Sequence, residues 1–515
     1  MSPLEIIAAI AAAGSVVVGL ARWLRVSQRE HYIAGSCWRT AWRWTRRRPP
    51  NLALGFLVDA GLVVAVVASL TDQADLLVAA VIIASLAHAA WPWPMPVRGT
   101  PPLRLTRRAK TLTAGSVAIT ALVVVATGLA SSWVLGLALA AGLSFLVVDA
   151  AAWIATPLER RALETHRTRA ETRLRQVDPF VIAVTGSWGK TSTKNHIRDL
   201  LAGSAEVVAS PASWNNTAGL SRTVNEHLTP TTEVLVAEMG TYGTGEIAAM
   251  CSWVPPRIGI ICAIGPMHLE RMRTIETIVA AKSEILEDVE VAILWVDDPR
   301  LAEVAERVDV PGRRVMRVGT RGSRDDLAVE VEVDEGQVRC WSAGEEIGAV
   351  PVEGGPHPGN LGCAVAAALA YGASPTDIGP RFGSLVNPDH RASVGVSDAG
   401  VVVIDDTFNS NPAGAAAAVD RLALAASGRR AVVTPGMVEL GPVQDSENER
   451  LGRAVVESGA TLIVVGWTNR SALLRGAGDD AITVPDRDAA RRWVRENLGA
   501  GDGVLWENDL PDHYP

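Results

Sequence analysis

Through the first third of the chain, apolar residues run on with few of the polar interruptions that mark a soluble helix. Past residue 180 the pattern changes to short β-branched runs separated by alanine-rich segments. Five apolar stretches, 4–21, 52–70, 75–91, 112–130 and 133–154, approach the length of about 20 residues that a helix needs to cross a bilayer. The first has its charge at the wrong end for a cleaved signal peptide, with Glu5 before the run and Arg22 and Arg25 after it, and reads as an uncleaved span. The segment 22–50 holds about eight arginines and 97–111 a second basic cluster, whereas the links 71–74 and 131–132 carry no positive charge. By the positive-inside rule the basic segments face the cytoplasm, the N-terminus lies outside, and everything beyond residue 155 is cytoplasmic: a multi-pass protein of the cell membrane. Tryptophans at the ends of apolar runs, such as Trp91 and Trp93, fit an interfacial belt. Asp59 inside the second span is a functional candidate by its cost of burial, and its plainer reading is a snorkelling or paired carboxylate. The stretch 156–178, rich in Arg and Glu at helical spacing, reads as a solvated linker helix.

Beyond it, β-branched runs at 181–185, 234–239, 258–264 and 291–295 alternate with helical patterns, which predicts parallel strands joined by helical crossovers. The alternation over 327–352 predicts a small antiparallel excursion, and the α/β rhythm resumes at 401–407, 431–434, 462–465 and 504–506. The fold class is therefore α/β behind a helical membrane domain. The expected organisation is a transmembrane domain at 1–155, a linker at 156–178, a central domain at 179–385 and a Rossmann-like C-terminal domain at 386–515. A net charge of -8 gives no reason to expect nucleic acid as a partner. The five cysteines are scattered without zinc-ligand spacing and read as reduced, mostly buried thiols.

The central domain opens with Thr185-Gly186-Ser187-Trp188-Gly189-Lys190-Thr191-Ser192 between a predicted strand and a predicted helix. That is the context in which loop amides cradle phosphate, a lysine supplies a point charge and a hydroxyl holds Mg²⁺. Only two residues separate the glycines, against four in the common phosphate loop, so generic GTPases and transport ATPases fit less well.

This short loop resembles that of the Mur ligase family. The likeness extends through Asn215-Asn216 to Gly219, Glu238 to Gly240, Gly245 to Ile247, Ile264 to Glu270 with His268, and Ala281 to Glu284 with Lys282. In the C-terminal half it continues with Arg391, Asp405 to Pro412 and Met437 to Gly441. Together these motifs look most like the branch that adds D-alanyl-D-alanine to the muramoyl tripeptide. The resemblance implies a ligase that uses ATP and Mg²⁺, in which a carboxylate takes the γ-phosphate to give an acyl phosphate and an amine then displaces phosphate. It implies that Gly186, Ser187, Gly189, Lys190, Thr191 and Ser192 hold the phosphates, and that Thr191 and Glu238 hold the first Mg²⁺. A second Mg²⁺ would be held by His268 with Lys282, the latter matching a position that the family carbamylates. Asn215 would lie near the substrate carboxylate. Asn360, Arg391, Asp406, Asn409 and Asn411 would line the nucleotide side of the cleft, with Lys190, Lys282, His268 and Asn215 the catalytic group.

The departures concern recognition. Membrane spans stand where the resembling branch has a soluble UDP-sugar domain, Pro435-Gly436 replaces Gly-Asp before Met437, and Asn448 replaces a histidine. Trp506 to Asp512 replaces a Lys-Gly-Ser ending. The expected function is thus ligation of a small amino acid or peptide to a carboxylate on a lipid-linked or membrane-adjacent cell-envelope acceptor. A poly-γ-glutamate type synthetase is the nearby alternative, and a nucleotide-gated transporter or an inactive scaffold are alternatives of other classes. Few polar residues in the spans, and intact Gly189, Lys190, Glu238, His268 and Lys282, weigh against the last two.

Overall fold

In the computed structural model, which describes residues 2–93, 95, 102–352, 355–385, 393–407, 410–510 and 514, the chain forms two units. The first comprises Met1–Ala162 with Leu510–Pro515 and the second Leu163–Asp509.

Among its described residues the first unit is helical: α1 (Pro3–Arg29), α2 (Ser36–Arg47), α3 (Pro49–Leu70), α4 (Ala74–Ala90), α5 (Arg107–Ala130), α6 (Trp133–Gly142) and α7 (Ser144–Val177), which runs on into the second unit. α1 starts on a capping box between Ser2 and Glu5, with Pro3 where a missing N–H costs nothing. α1, α3 and α5 are long and apolar enough to cross a membrane, whereas α4 is a shorter apolar helix. The expected continuous span at 133–154 is instead two helices, α6 and α7, that meet at an angle of 75°. Glycine permits the close packing here. A Cβ on Gly61 of α3 would stand 2.9 Å from that of Ala84 in α4, and one on Gly142 would stand 2.6 Å from Leu62. Buried polar groups find partners across helices. His88 lies between Ser15 (2.8 Å) and Ser144 (3.2 Å), and Arg22 donates to the carbonyls of Ala89 and Trp91, which the end of α4 leaves without helical donors. Asp59 is exposed on α3.

The second unit holds two sheets. The first has nine strands in the order β2-β3-β1-β4-β5-β6-β7-β8-β9. These are β1 (Phe180–Thr185), β2 (Val207–Ala209), β3 (Val234–Glu238), β4 (Ile258–Ile261), β5 (Val291–Trp295), β6 (Arg314–Thr320), β7 (Val329–Asp334), β8 (Gln337–Ser342) and β9 (Glu345–Pro351). β2 to β7 pair parallel, and β8 and β9 turn antiparallel, where the sequence alternates polar and apolar. Both faces are buried, which explains why β1, β3 and β4 are apolar at almost every position. One core gathers Leu235, Ile261 and Leu294 with Leu174 of α7; the other packs Ile182, Val236 and Ile260 against helices Lys190–Leu201 and Pro358–Tyr371. From β1 the chain goes first to one side, β2 and β3, and then to the other, β4 onward, so β1 and β4 bound a topological switch point.

The second sheet, ordered β10-β11-β15-β12-β13-β14, comprises β10 (Ser393–Val396), β11 (Val402–Asp406), β12 (Arg430–Thr434), β13 (Thr461–Val465), β14 (Ile482–Val484) and β15 (Gly503–Glu507). It is parallel apart from β10. The last strand, β15, inserts between β11 and β12 and brings Glu507 to the carboxyl edge at the middle of the sheet.

Candidate active site

The loop after β1 leaves the carboxyl edge at the switch point, where open α/β sheets place ligands. Gly189 caps helix Lys190–Leu201 with φ +80°, a left-handed conformation, and the Asn360 side chain occupies the place a Cβ would take. Only glycine meets both conditions. Ser187 pins the loop: its hydroxyl donates to Gly265 O (3.1 Å) and accepts from Gly265 N (2.9 Å). Lys190 and Lys282 converge on one carbonyl, with their Nζ atoms 2.8 and 3.0 Å from Gly186 O. Ser192 is buried in the first turn of the helix.

Glu238, at the end of β3, is buried, and its carboxylate accepts three hydrogen bonds. Thr191 Oγ1 (2.9 Å) and Lys194 Nζ (3.2 Å) donate to Oε2, Asn215 Nδ2 donates to Oε1 (3.0 Å), and its own backbone amide donates elsewhere, to Ser210 Oγ (3.1 Å). Lys194 also donates to Ser210 O (2.6 Å) and Ala212 O (2.7 Å), so this buried lysine ties the helix to the loop after β2.

Lys282, on helix Ile275–Ser283, is fully enclosed; burial and then the neighbouring Lys190 push its ammonium down to about 7. His268 lies opposite Glu439, with Nδ1 2.6 Å from Oε2. Burial lowers its pKa and Glu439 only partly offsets this, so the imidazole is neutral, donates from Nδ1 and keeps the Nε2 lone pair free. Both partners sit in left-handed backbone, φ 62° for His268 and 63° for Glu439, and Glu270 N donates to Glu439 O at 3.3 Å. Non-glycine residues held in that region mark a junction that its surroundings determine strongly.

Of the residues expected on the C-terminal side, Arg391 and Asn409 lie outside the described residues. Asp406 ends β11, and its carbonyl accepts from Asn508 N (3.0 Å). Asn411 caps helix Pro412–Ala425 by accepting from Gly414 N (2.9 Å), a structural use of its side-chain oxygen. Three contributors were not singled out from sequence. Lys194 falls one helical turn after Lys190 and could have been found by that spacing. Glu439 lies within the Met437 to Gly441 motif, but its partner is 171 residues away. Glu507 accepts from Ser410 and Thr434, and burial raises its carboxyl to about 7.

Comparison with known proteins places this geometry in a family. The Mur ligase middle domain matches residues 184–368, and the Mur ligase, glutamate ligase domain matches residues 390–507. The UDP-N-acetylmuramoyl-tripeptide–D-alanyl-D-alanine ligase of Mycobacterium tuberculosis is 34% identical over 358 residues, which cover 63% of this chain and 69% of the relative. Its counterpart from Bacillus subtilis is 26% identical over 66% of this chain and 75% of its own. Among solved structures, MurF from Acinetobacter baumannii aligns with a TM-score of 0.58 at 25% identity, over 68% of this chain and 77% of that one. MurF from Thermotoga maritima in complex with ADP aligns at 0.59 and 24% identity, over 67% and 80%.

The fold, the loop and these matches define an ATP-dependent carbon–nitrogen ligase that works with Mg²⁺. The chain belongs to the Mur ligase family, with the D-alanyl-D-alanine-adding ligases among its relatives. Its own residues fit the ligands. The N-terminus of helix Lys190–Leu201 and the Lys190 ammonium suit phosphate. The buried Glu238 carboxylate, with Thr191 Oγ1 2.9 Å from Oε2, suits Mg²⁺, which takes one or two carboxylates and completes its shell with phosphate oxygens and water. Residues 1–183 lie outside both family models.

Proposed function

We propose that this ligase joins a small amino acid or peptide amine to a carboxylate on a lipid-linked or membrane-adjacent cell-envelope acceptor. The observation that carries this reading is the set of membrane-length helices, α1, α3 and α5, in the same chain as the ligase domains. A multi-pass arrangement with the N-terminus outside and the ligase domains in the cytoplasm gives the active site both ATP and the acceptor, and tethering raises the local concentration of a membrane-borne substrate.

In this reading the domains divide at 1–155, 156–178, 179–385 and 386–515. Gly186, Ser187, Gly189, Lys190, Thr191 and Ser192 hold the phosphates, Ser187 by bracing the loop. Thr191 and Glu238 take the first Mg²⁺, and His268, through Nε2, takes the second with Lys282. Lys282 is suited to carbamylation because a pKa of about 7 leaves much of its amine free at neutral pH, and only the free amine attacks CO₂. The carbamate replaces a cation with an anion. Asn215 orients Glu238 and the carboxylate substrate, while Asn360, Arg391, Asp406, Asn409 and Asn411 belong to the nucleotide side. Held by Thr191 and Glu238, Mg²⁺ would supply charge neutralisation at the transferring phosphoryl group. Lys190 adds a fixed positive charge there; the amine then attacks the acyl carbon of the acyl phosphate, and the amide forms as inorganic phosphate leaves.

The test is to incubate detergent-purified protein with ATP, Mg²⁺, candidate amines and extracted membrane lipids, following ADP release and product mass. Amine-dependent ADP release with an amide-containing lipid product is expected, and Lys190→Ala abolishes both. ATP turnover that needs no amine contradicts the reading.

A further inference from the structure

Helix α2, between the membrane-length helices α1 and α3, has two unlike faces. Cys37, Thr40, Ala41 and Trp44 are buried. On the other face Trp38 and Trp42 are each about half exposed and stack with ring centroids 6.1 Å apart at 19°, Arg46 lies 4.8 Å over the Trp42 ring, and Arg39 is exposed beside them. The helix holds four arginines and no acid. Its start is anchored from another helix: the Asp149 carboxylate of α7 accepts from Cys37 N (3.2 Å) and Trp38 N (2.9 Å), two of the amides that a helix leaves unsatisfied. A helix of 12 residues is marginal alone, so this buried carboxylate and the packed face hold it in place.

The exposed face combines two chemistries. Tryptophan rings favour the boundary between acyl chains and headgroups, and guanidinium forks match phosphate oxygens. The face lies where α1 ends and α3 begins, at the limit of both apolar runs. We infer that α2 is a binding surface for anionic phospholipid, with Trp38 and Trp42 at the level of the upper acyl chains and Arg39 and Arg46 on lipid phosphates. The inference rests on the membrane reading of the first unit and holds whatever the acceptor is.

The test reconstitutes the full chain in phosphatidylcholine nanodiscs that carry a minor fraction of brominated phosphatidylglycerol or brominated phosphatidylcholine. The fluorescence of Trp38 and Trp42 is taken as the difference between the wild type and Trp38→Phe/Trp42→Phe. Stronger quenching by the brominated anionic lipid is expected. Arg39→Gln/Arg46→Gln should reduce that preference on the order of tenfold, whereas Arg39→Lys/Arg46→Lys retains most of it. Equal quenching by the two lipids overturns the inference and leaves the membrane reading standing; quenching by neither overturns both. Loss of the preference on adding millimolar inorganic phosphate assigns the site to free anions and overturns the lipid assignment. Should the glutamine variant fail to fold, the comparison of the two lipids on the wild-type chain decides.

Discussion

Glu238 shows how one residue serves both fold and chemistry. A buried carboxylate is tolerated because Lys194, Thr191 and Asn215 all donate to it, and Lys194 in turn is buried with it. Removing the cation leaves the charge uncompensated, so Lys194→Met is expected to cost about 3–5 kcal/mol, read as a lowered unfolding midpoint. Adding Glu238→Gln to it should recover part of that loss. Lys282 gives a second prediction. Its amine is mostly protonated below about pH 7 and free above it, so carbamate formation, and activity with it, should rise as pH passes upward through that value. Added bicarbonate should stimulate most on the acid side, and Lys282→Ala should be inactive but partly rescued by short carboxylates. Full activity in Lys282→Ala would contradict the carbamate role. Glu507 makes a third, about stability. Its folded pKa, about 7, lies above the ordinary 4.5, so the folded state holds the extra proton between those values and stability falls as pH rises through them. The fall is on the order of 3 kcal/mol, and Glu507→Gln should flatten it in thermal unfolding measured from pH 5 to 8.

At the scale of elements, the meeting of His268 and Glu439 couples the two sheets of the second unit. The loop after β12 brings Glu439 to His268, and Gly441 packs on the backbone of Glu270. If His268 binds metal through Nε2, Glu439 is the outer partner that fixes its tautomer, and losing such a partner typically weakens metal affinity about 10–100-fold. Glu439→Ala should show that loss for Mn²⁺ bound with a non-hydrolysable ATP analogue, read by electron paramagnetic resonance; unchanged affinity would show that Glu439 only packs. The parallel strands and the loop between β1 and its helix were legible in the sequence, because burial on both faces demands unbroken apolar runs and a phosphate loop demands glycine at fixed places. The antiparallel excursion was legible for the converse reason, since β7 to β9 expose one side. The bend between α6 and α7 was not, because 133–154 is apolar on both sides of it and hydropathy does not record direction. Nor was the Glu439 partner of His268, which depends on how two sheets dock rather than on any local spacing.

At the scale of the whole molecule, the chain joins helices of membrane length to two α/β domains of a ligase family. The relatives that carry D-alanyl-D-alanine-adding names match the ligase part, and the membrane helices set the expectation for where the acceptor resides. The most direct measurement follows a radiolabelled amino acid, offered with ATP and Mg²⁺ to the purified protein in its own membranes, and asks which phase the product enters. Label that becomes extractable into organic solvent as an amide, and only while Lys190 is intact, is the predicted result. Label that accumulates solely in a water-soluble nucleotide-linked peptide, with no lipid product, would contradict it.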